Sequence, residues 1–154
     1  MKFTKALIKG KLLKRYKRFF VDIKVNKEII IAHCPNTGSM MGLLNENNDA
    51  WVLKNDNPKR KLKYTLQILK TKKNVIGVNT HLANKLVHEG LQNNTLLEFK
   101  NIDKIITEKF YNKETRFDFL VEENKKKIFI EVKNVTLIRD GKTSEFPDAI
   151  TTRG

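Results

Sequence analysis

Phe19-Phe20-Val21-Asp22-Ile23-Lys24-Val25, then Asn26-Lys27-Glu28, then Ile29-Ile30-Ile31-Ala32 decide how the first half of the chain folds. In the first run Phe19, Val21, Ile23 and Val25 alternate with Phe20, Asp22 and Lys24, the period-two pattern of a half-buried strand. Asn26-Lys27-Glu28 suits a tight turn, so the two runs predict a β-hairpin. Working outward, residues 3–8 alternate in the same way through Phe3, Lys5 and Leu7. Residues 50–53, 62–71 and 75–78 are further strand-like runs, separated by polar breaks at 45–49 and 55–58. Five or so closely spaced strands with no long helix between them predict a small β-barrel or sandwich over residues 1–78.

The pattern changes near Asn79. Thr80 suits the N-cap of a helix in which Leu82, Leu86 and Leu91 form an apolar stripe, with Gly90 near its end. Residues 102–110, 116–121 and 127–135 then read as strands, so a second domain over residues 79–154 opens helix, strand, strand, strand. The boundary rests on the switch in periodicity, since no repeat or low-complexity linker marks it. The chain stops at Thr151-Thr152-Arg153-Gly154, soon after Phe146-Pro147-Asp148 and without a closing element. A mixed sheet that ends there leaves a face or edge uncovered. Either a partner covers it, such as a second copy in a homodimer, or the product is C-terminally truncated.

A chain of 154 residues can form one ordinary domain or two small ones. Its hydrophobic fraction of 40%, with nine Phe, argues for a folded, soluble protein despite 31% charged residues. No apolar run approaches the ~18 residues that span a bilayer, and no signal-peptide pattern opens the chain. A cytoplasmic location with no membrane partner is therefore expected. Cys34 is the only cysteine, which excludes an intrachain disulfide and a thiolate zinc cage. The balance of 31 Lys+Arg against 17 Asp+Glu gives a formal charge of +14, a field that draws in polyanions. Nucleic acid, DNA or RNA, is the partner this favours over a simple Lys/Asn/Ile bias of an AT-rich genome.

The strongest chemical constellation is Arg116-Phe117-Asp118-Phe119 followed, after a charged turn, by Ile128-Phe129-Ile130-Glu131-Val132-Lys133. Residues two apart on a strand share a face, so Glu131 and Lys133 are displayed together while Ile130 and Val132 turn to the core. Asp118, on the preceding strand of the hairpin, approaches Glu131 across the ladder. Two such carboxylates repel unless a cation joins them, and hard oxygen ligands suit Mg²⁺ or Mn²⁺. A metal there polarises a phosphoryl oxygen and acidifies a bound water, and Lys133 is placed to position that water or stabilise developing charge.

A second feature is the basic N-terminal stretch with Lys2, Lys5, Lys9, Lys11, Lys14, Arg15, Lys17 and Arg18, free of acids before Asp22. Tyr16, Phe19 and Phe20 interleave with it, as on an oligonucleotide-binding (OB) surface that tracks phosphates and stacks bases. Core packing is the favoured reading of the aromatics, and phosphate contact that of Arg15, Lys17 and Arg18. Lys59-Arg60-Lys61 sits in a loop that extends the same track or is simply solvated. His33-Cys34 looks like a metal pair, but adjacent strand residues face apart, so His33 to Gly38 reads better as a turn.

Taken in order, Arg15-Tyr16-Lys17-Arg18-Phe19, His33-Cys34-Pro35-Asn36-Thr37-Gly38-Ser39-Met40, Val78-Asn79-Thr80, Thr115 with Arg116 to Phe119, Glu131-Val132-Lys133-Asn134-Val135-Thr136 and Phe146-Pro147-Asp148-Ala149 resemble the sugar fermentation stimulation protein family. The resemblance implies a mixed α+β protein: an N-terminal OB-fold β-barrel for nucleic-acid binding, then a partial PD-(D/E)xK nuclease-like domain. It implies sequence-nonspecific DNA binding and a regulatory link to sugar (maltose-type) catabolism. Metal and catalytic positions then fall on Asp118, Glu131 and Lys133, with Glu89 as a helix acid that joins the metal set and Glu108 as a lesser contributor. It also implies further elements after the Phe-Pro-Asp-Ala motif that complete the sheet. Two functions follow as alternatives: metal-dependent phosphodiester hydrolysis, or DNA-binding regulation without turnover.

Overall fold

The computed structural model describes residues 1–72, 74–138 and 143–145. The Phe146-Pro147-Asp148-Ala149 motif and residues 151–154 lie outside the described residues. The chain divides into two compact units, one of Lys2–Thr80 with the described residues from Asn134 onward, the other of Met1 with His81–Lys133. Among the described residues no helix is long and apolar enough to cross a membrane.

The first unit contains β1 (Ile8–Tyr16), β2 (Phe20–Val25), β3 (Glu28–His33), β4 (Asp49–Lys54), β5 (Tyr64–Lys70) and β6 (Val75–Gly77). Neighbours run β3-β2-β1-β4-β5-β6, and β3 also pairs parallel with β5 at Ala32↔Tyr64 and His33↔Thr65. The first five strands therefore close on themselves in the cyclic order β1-β2-β3-β5-β4, an OB-type barrel, and closure removes the open edges that a small sheet would expose. The hairpin expected from the opening motif is present, with Asn26 in the left-handed region (φ 53°) at its turn.

Alternation along these strands fills the barrel with Leu12, Val21, Ile23, Ala32, Ala50, Val52, Leu66 and Leu69, joined by Cys34, Met40, Leu43 and Val78. Two bulges reset the alternation. Between β1 and β2 the register passes from Leu12↔Ile23 to Lys14↔Asp22, so Leu13 is an extra residue and Arg15, opposite the buried Val21, takes the inward-facing parity of Leu12. Between β4 and β5 the step from Trp51↔Ile68 to Val52↔Leu66 makes Gln67 the extra residue, which lets Leu66 and Leu69 both face inward. Buried Gln67 is satisfied by donating to the Thr65 carbonyl (3.1 Å) and accepting from Asn79 Nδ2 (2.8 Å).

The strand expected over residues 3–8 is absent, because β1 starts only at Ile8 and runs through the basic stretch. The inward positions that pair with β4 and β2 are supplied by Gly10 and Leu12, further along than the apparent alternation of Phe3, Lys5 and Leu7.

A 3-10 turn (Thr80–Leu82) begins at the last residue of the first unit's main stretch and leads into α1 (Ala83–Gln92) of the second, followed there by β7 (Ile102–Phe110), β8 (Arg116–Glu123) and β9 (Lys126–Ile130) in an antiparallel sheet ordered β7-β8-β9. Asn124 (φ 49°) and Lys125 (φ 64°) form the two-residue β8–β9 turn, a conformation that matches the strands' twist. Leu91, Phe119 and Val121 are the buried centre, with Val87, Ile105, Ile128 and Ile130 packed around them.

Three local expectations are corrected here. Thr80 does not cap the helix: its hydroxyl donates to the Pro35 carbonyl (3.1 Å), and Leu82 occupies the N-cap without a side-chain bond. Leu86 and Leu91, five residues apart, stand about 140° from one another around the helix, so Val87 and Leu91 face the core while Leu86 is half exposed. The strand expected to reach Val135 ends at Ile130; beyond it, among the described residues, lie only the two-residue β10 (Leu137–Ile138) and β11 (Ser144–Glu145), which pair with each other.

Candidate nucleic-acid interface and acidic site

Tyr16 pairs with Phe20, Phe20 with His33 and His33 with Thr65, one lateral row across β1, β2, β3 and β5. The β1–β2 turn, Lys17-Arg18-Phe19, springs from the first two members of this row, and the β4–β5 loop ends at Tyr64, beside the last. The two basic segments singled out in the sequence therefore adjoin this row, one at each of its ends. Lys17 (φ 48°) and Arg18 (φ 61°) hold the left-handed backbone at the turn, and both are exposed. In the β4–β5 loop the Asn55 and Asn57 side chains accept from the Asn57 and Lys59 N–H groups (2.9 and 3.0 Å), which folds the loop tightly before Lys59-Arg60-Lys61. Arg60 reaches back to Thr65 Oγ1 at 3.4 Å.

The core reading of the aromatics fails here. Phe19 is 47% exposed because it lies in the turn rather than on β2. Tyr16 and Phe20 stack on each other with centroids 5.5 Å apart and planes 14° from parallel, and neither is fully buried. Tyr16 donates its hydroxyl to Asp22 (3.1 Å), and Lys14 lies over its ring at 5.6 Å. Partial desolvation first, and then the Asp22 hydrogen bond and charge, push the Tyr16 pKa up.

Arg15 differs from its neighbours. Its Nε donates to the Arg18 carbonyl (3.0 Å), and its two terminal nitrogens donate to the Gly38 (2.9 Å) and Asn36 (2.8 Å) carbonyls. The bulge at Leu13 turns it toward these groups. Nearby Cys34 is buried, with Sγ 3.5 Å from both the Asn36 carbonyl and Met40 Sδ, and burial pushes its pKa up against the lowering pull of Arg15. A buried, protonated thiol of this kind is a packing group rather than a ligand.

In the second unit the β8–β9 register runs from Glu123↔Lys126 to Phe119↔Ile130, and one step further brings Glu131 opposite Asp118. Asp118 is fixed from two sides: Oδ1 accepts from Asn84 Nδ2 and Oδ2 from the Val132 N–H, both at 2.7 Å. Lys133 pairs with Glu131 at 2.8 Å, so the period-two relation of these two holds just beyond the end of β9. Asn84, Lys85, His88, Thr107, Glu108 and Asp118 line a shallow hollow of about 180 Å³. Glu108 sits there with φ 55° and pairs with Arg116 at 2.6 Å. Glu89 instead receives the Met1 ammonium group at 2.5 Å. The sequence reading gave Asn84 no role and took His88 for a helix-surface or capping residue, although their i, i+4 spacing on a helix was the available signal.

Asp118 and Glu131 suit a hard cation in donor chemistry. Mg²⁺ is ordinarily held by one or two protein carboxylates, with water and phosphate completing its octahedron. Among the described residues no group of three or more His, Cys, Asp or Glu converges. A second electrostatic feature belongs to the end of the central strand β8, where Glu123 accepts from the Lys100 and Asn101 N–H groups (2.7 and 2.8 Å), bonds that hold its pKa below the usual carboxylate range.

Comparison with known proteins agrees with this architecture. The family model of the SfsA N-terminal OB domain matches residues 13–78, and that of the sugar fermentation stimulation protein RE domain matches residues 81–154. The sugar fermentation stimulation protein homolog of Pelagibacter ubique (strain HTCC1062) is 70% identical over 154 residues, all of this chain and 66% of that protein. The homolog of Alteromonas mediterranea is 44% identical over 164 residues, covering 100% of this chain and 68% of the relative. A solved structure of Pyrococcus furiosus SfsA in complex with Ca²⁺ shares the fold at a TM-score of 0.81 and 24% identity, over 99% of this chain and 64% of that one. The chain therefore spans about two thirds of the length of its relatives, and it belongs to the sugar fermentation stimulation protein (SfsA) family.

Proposed function

We propose that this chain binds DNA through its phosphate backbone along the barrel face flanked by the β1–β2 and β4–β5 loops, and that its second unit carries a divalent-metal-compatible site of the PD-(D/E)xK nuclease type. The observation that carries the reading is that the β1–β2 and β4–β5 loops, with Lys17, Arg18, Lys59, Arg60 and Lys61 on them, flank one lateral row of paired residues across β1, β2, β3 and β5. Those two loops and the adjoining strand face are where OB barrels take oligonucleotides. Exposed Phe19 and the Tyr16–Phe20 pair add ring faces on which bases stack, as in other single-strand binders. A net charge of +14 extends the attraction beyond contact range. Phosphate contacts carry no sequence information, so binding is nonspecific, and RNA competes with DNA for it.

In the second unit Asp118 and Glu131 are the residues that would hold Mg²⁺ or Mn²⁺. Such an ion supplies Lewis acidity to a phosphoryl oxygen and a lowered pKa to a bound water. The Asn84 amide and the Val132 N–H keep the Asp118 carboxylate in one orientation. Lys133, through its pairing with Glu131, places positive charge where a phosphodiester would develop negative charge. The Pyrococcus protein was solved in complex with Ca²⁺, which supports an oxygen-ligated cation in the family.

One observation favours the second reading, a DNA-binding regulator without turnover, as the relatives' names suggest. Both Asp118 oxygens and the Lys133 ammonium already have partners within the protein. The test incubates supercoiled plasmid and single-stranded DNA with the protein and Mg²⁺ or Mn²⁺, alongside Asp118→Ala and Lys133→Ala. The hydrolytic reading expects nicking that both substitutions abolish. Nicking that survives them removes the assignment, and binding without nicking by all three proteins establishes the regulator.

A further inference from the structure

The segment between β3 and β4 contains Pro35-Asn36-Thr37-Gly38-Ser39-Met40, whose ends are anchored and whose tip is displayed. Pro35, Asn36 and Met40 are buried, whereas Thr37, Gly38 and Ser39 are exposed. Asn36 Oδ1 accepts from the Gly38 N–H at 2.9 Å, closing a small turn. A Cβ at position 38 would stand 3.1 Å from that same oxygen, so glycine keeps the turn tight. Thr80 holds the Pro35 carbonyl from outside, and the Cys34 N–H donates to the Phe19 carbonyl at 2.7 Å, which fastens this segment to the β1–β2 turn.

Arg15 makes the same connection with its side chain. One planar fork donates at once to Arg18 in the cationic turn and to Asn36 and Gly38 in the hydroxyl-bearing one. We infer that Thr37 and Ser39 form a second backbone-binding element, donating their hydroxyls to a phosphate of the strand met by Lys17 and Arg18, and that Arg15 is the positioning residue that holds both turns in place. The inference rests on the nucleic-acid reading above and changes the part Arg15 plays in it. Short hydroxyl side chains flanking a glycine let a phosphate approach the main chain closely, and Ser, Thr and backbone N–H groups are regular phosphate partners in protein–DNA interfaces. Such neutral donors release no counterions, so they contribute affinity without salt dependence. A cation in direct phosphate contact does the opposite.

The experiment measures binding of a labelled oligothymidylate to the full chain by anisotropy over a range of NaCl concentrations. The proteins compared are the parent, Lys17→Ala, Arg15→Lys and the double variant Thr37→Val/Ser39→Ala. The double variant is expected to bind roughly tenfold more weakly, the loss of one or two hydrogen bonds to a charged group, with an unchanged salt slope. Arg15→Lys keeps the charge but loses the fork; it is expected to lose a similar factor, again at unchanged slope. Lys17→Ala is expected to reduce the slope by about 0.7, the value for one phosphate contact on a single strand. Parent-like binding by Arg15→Lys, or by the double variant, overturns the inference. If Arg15→Lys proves unfolded by circular dichroism, the double variant, altered only at exposed positions, decides alone. Failure of the parent to bind brings down the nucleic-acid reading and this inference together, whereas parental binding that the double variant retains brings down this inference only.

Discussion

At Gly10 a Cβ atom would lie 2.6 Å from both the Lys24 carbonyl oxygen and Ile23 Cγ2, and 2.9 Å from Val25 Cγ2. The first of these contacts is backbone and cannot swing aside, so the strand β1 passes close to β2 only because this residue lacks a side chain. Gly10→Ala is expected to cost about 1–3 kcal/mol, the usual range for overpacking, and to lower the melting temperature. Gly77→Ala, where nothing lies within 4 Å of the added atom, serves as the control and should melt like the parent. An unchanged melting temperature for Gly10→Ala would refute the close approach. Single residues also mark the limit of sequence reading. That Glu131 and Lys133 share a side follows from strand periodicity and was legible. That Arg15 would grip three carbonyls was not, because its direction depends on an extra residue at Leu13 that no local pattern announces.

Elements were legible where they alternate without interruption. The β2–β3 hairpin and the β8–β9 hairpin declare themselves through period two and polar turns. β1 does not, since its bulge breaks the pattern and lysines fill its outer face. Helix α1 was found but with the wrong stripe, because Leu82 belongs to the preceding 3-10 turn and Leu86 stands about 140° around the helix from Leu91. The outer lysines of β1 have a partner at the start of β4: Asp49 accepts from Lys11 at 2.7 Å and Lys9 at 3.0 Å, which hold its pKa at about 2, against an ordinary 3.8. A carboxyl whose folded pKa lies below its unfolded value stabilises the fold above the unfolded pKa and loses that contribution as pH falls toward the folded one. The stability gap between the parent and Asp49→Asn is therefore expected to be constant above about pH 4 and to close toward about pH 2. Denaturant melts at stepped pH measure it, and a gap that persists at the acid end would contradict the pairing. At β8, Mg²⁺ is expected to raise the melting temperature of the parent but not of Asp118→Ala, as binding to the folded state alone requires.

For the whole molecule, closure of the barrel through the parallel β3–β5 pairing was the least legible feature, because it joins segments some thirty residues apart with no local trace. Yet that closure sets the two basic loops on either side of one strand face, turning two ordinary lysine clusters into a candidate surface. The charge of +14 favours a polyanion partner wherever the lysines lie, and it is the topology that groups the two basic loops around one face. The most direct test is the salt dependence of single-stranded DNA affinity for the parent and for a variant with Lys17, Arg18, Lys59 and Lys61 all changed to Ala. If the two loops bind phosphate together, the variant binds more weakly, and its slope of log affinity against log salt is shallower by about 2 to 3, or 0.7 for each phosphate no longer neutralised. Parallel lines of equal affinity for the two proteins would contradict it.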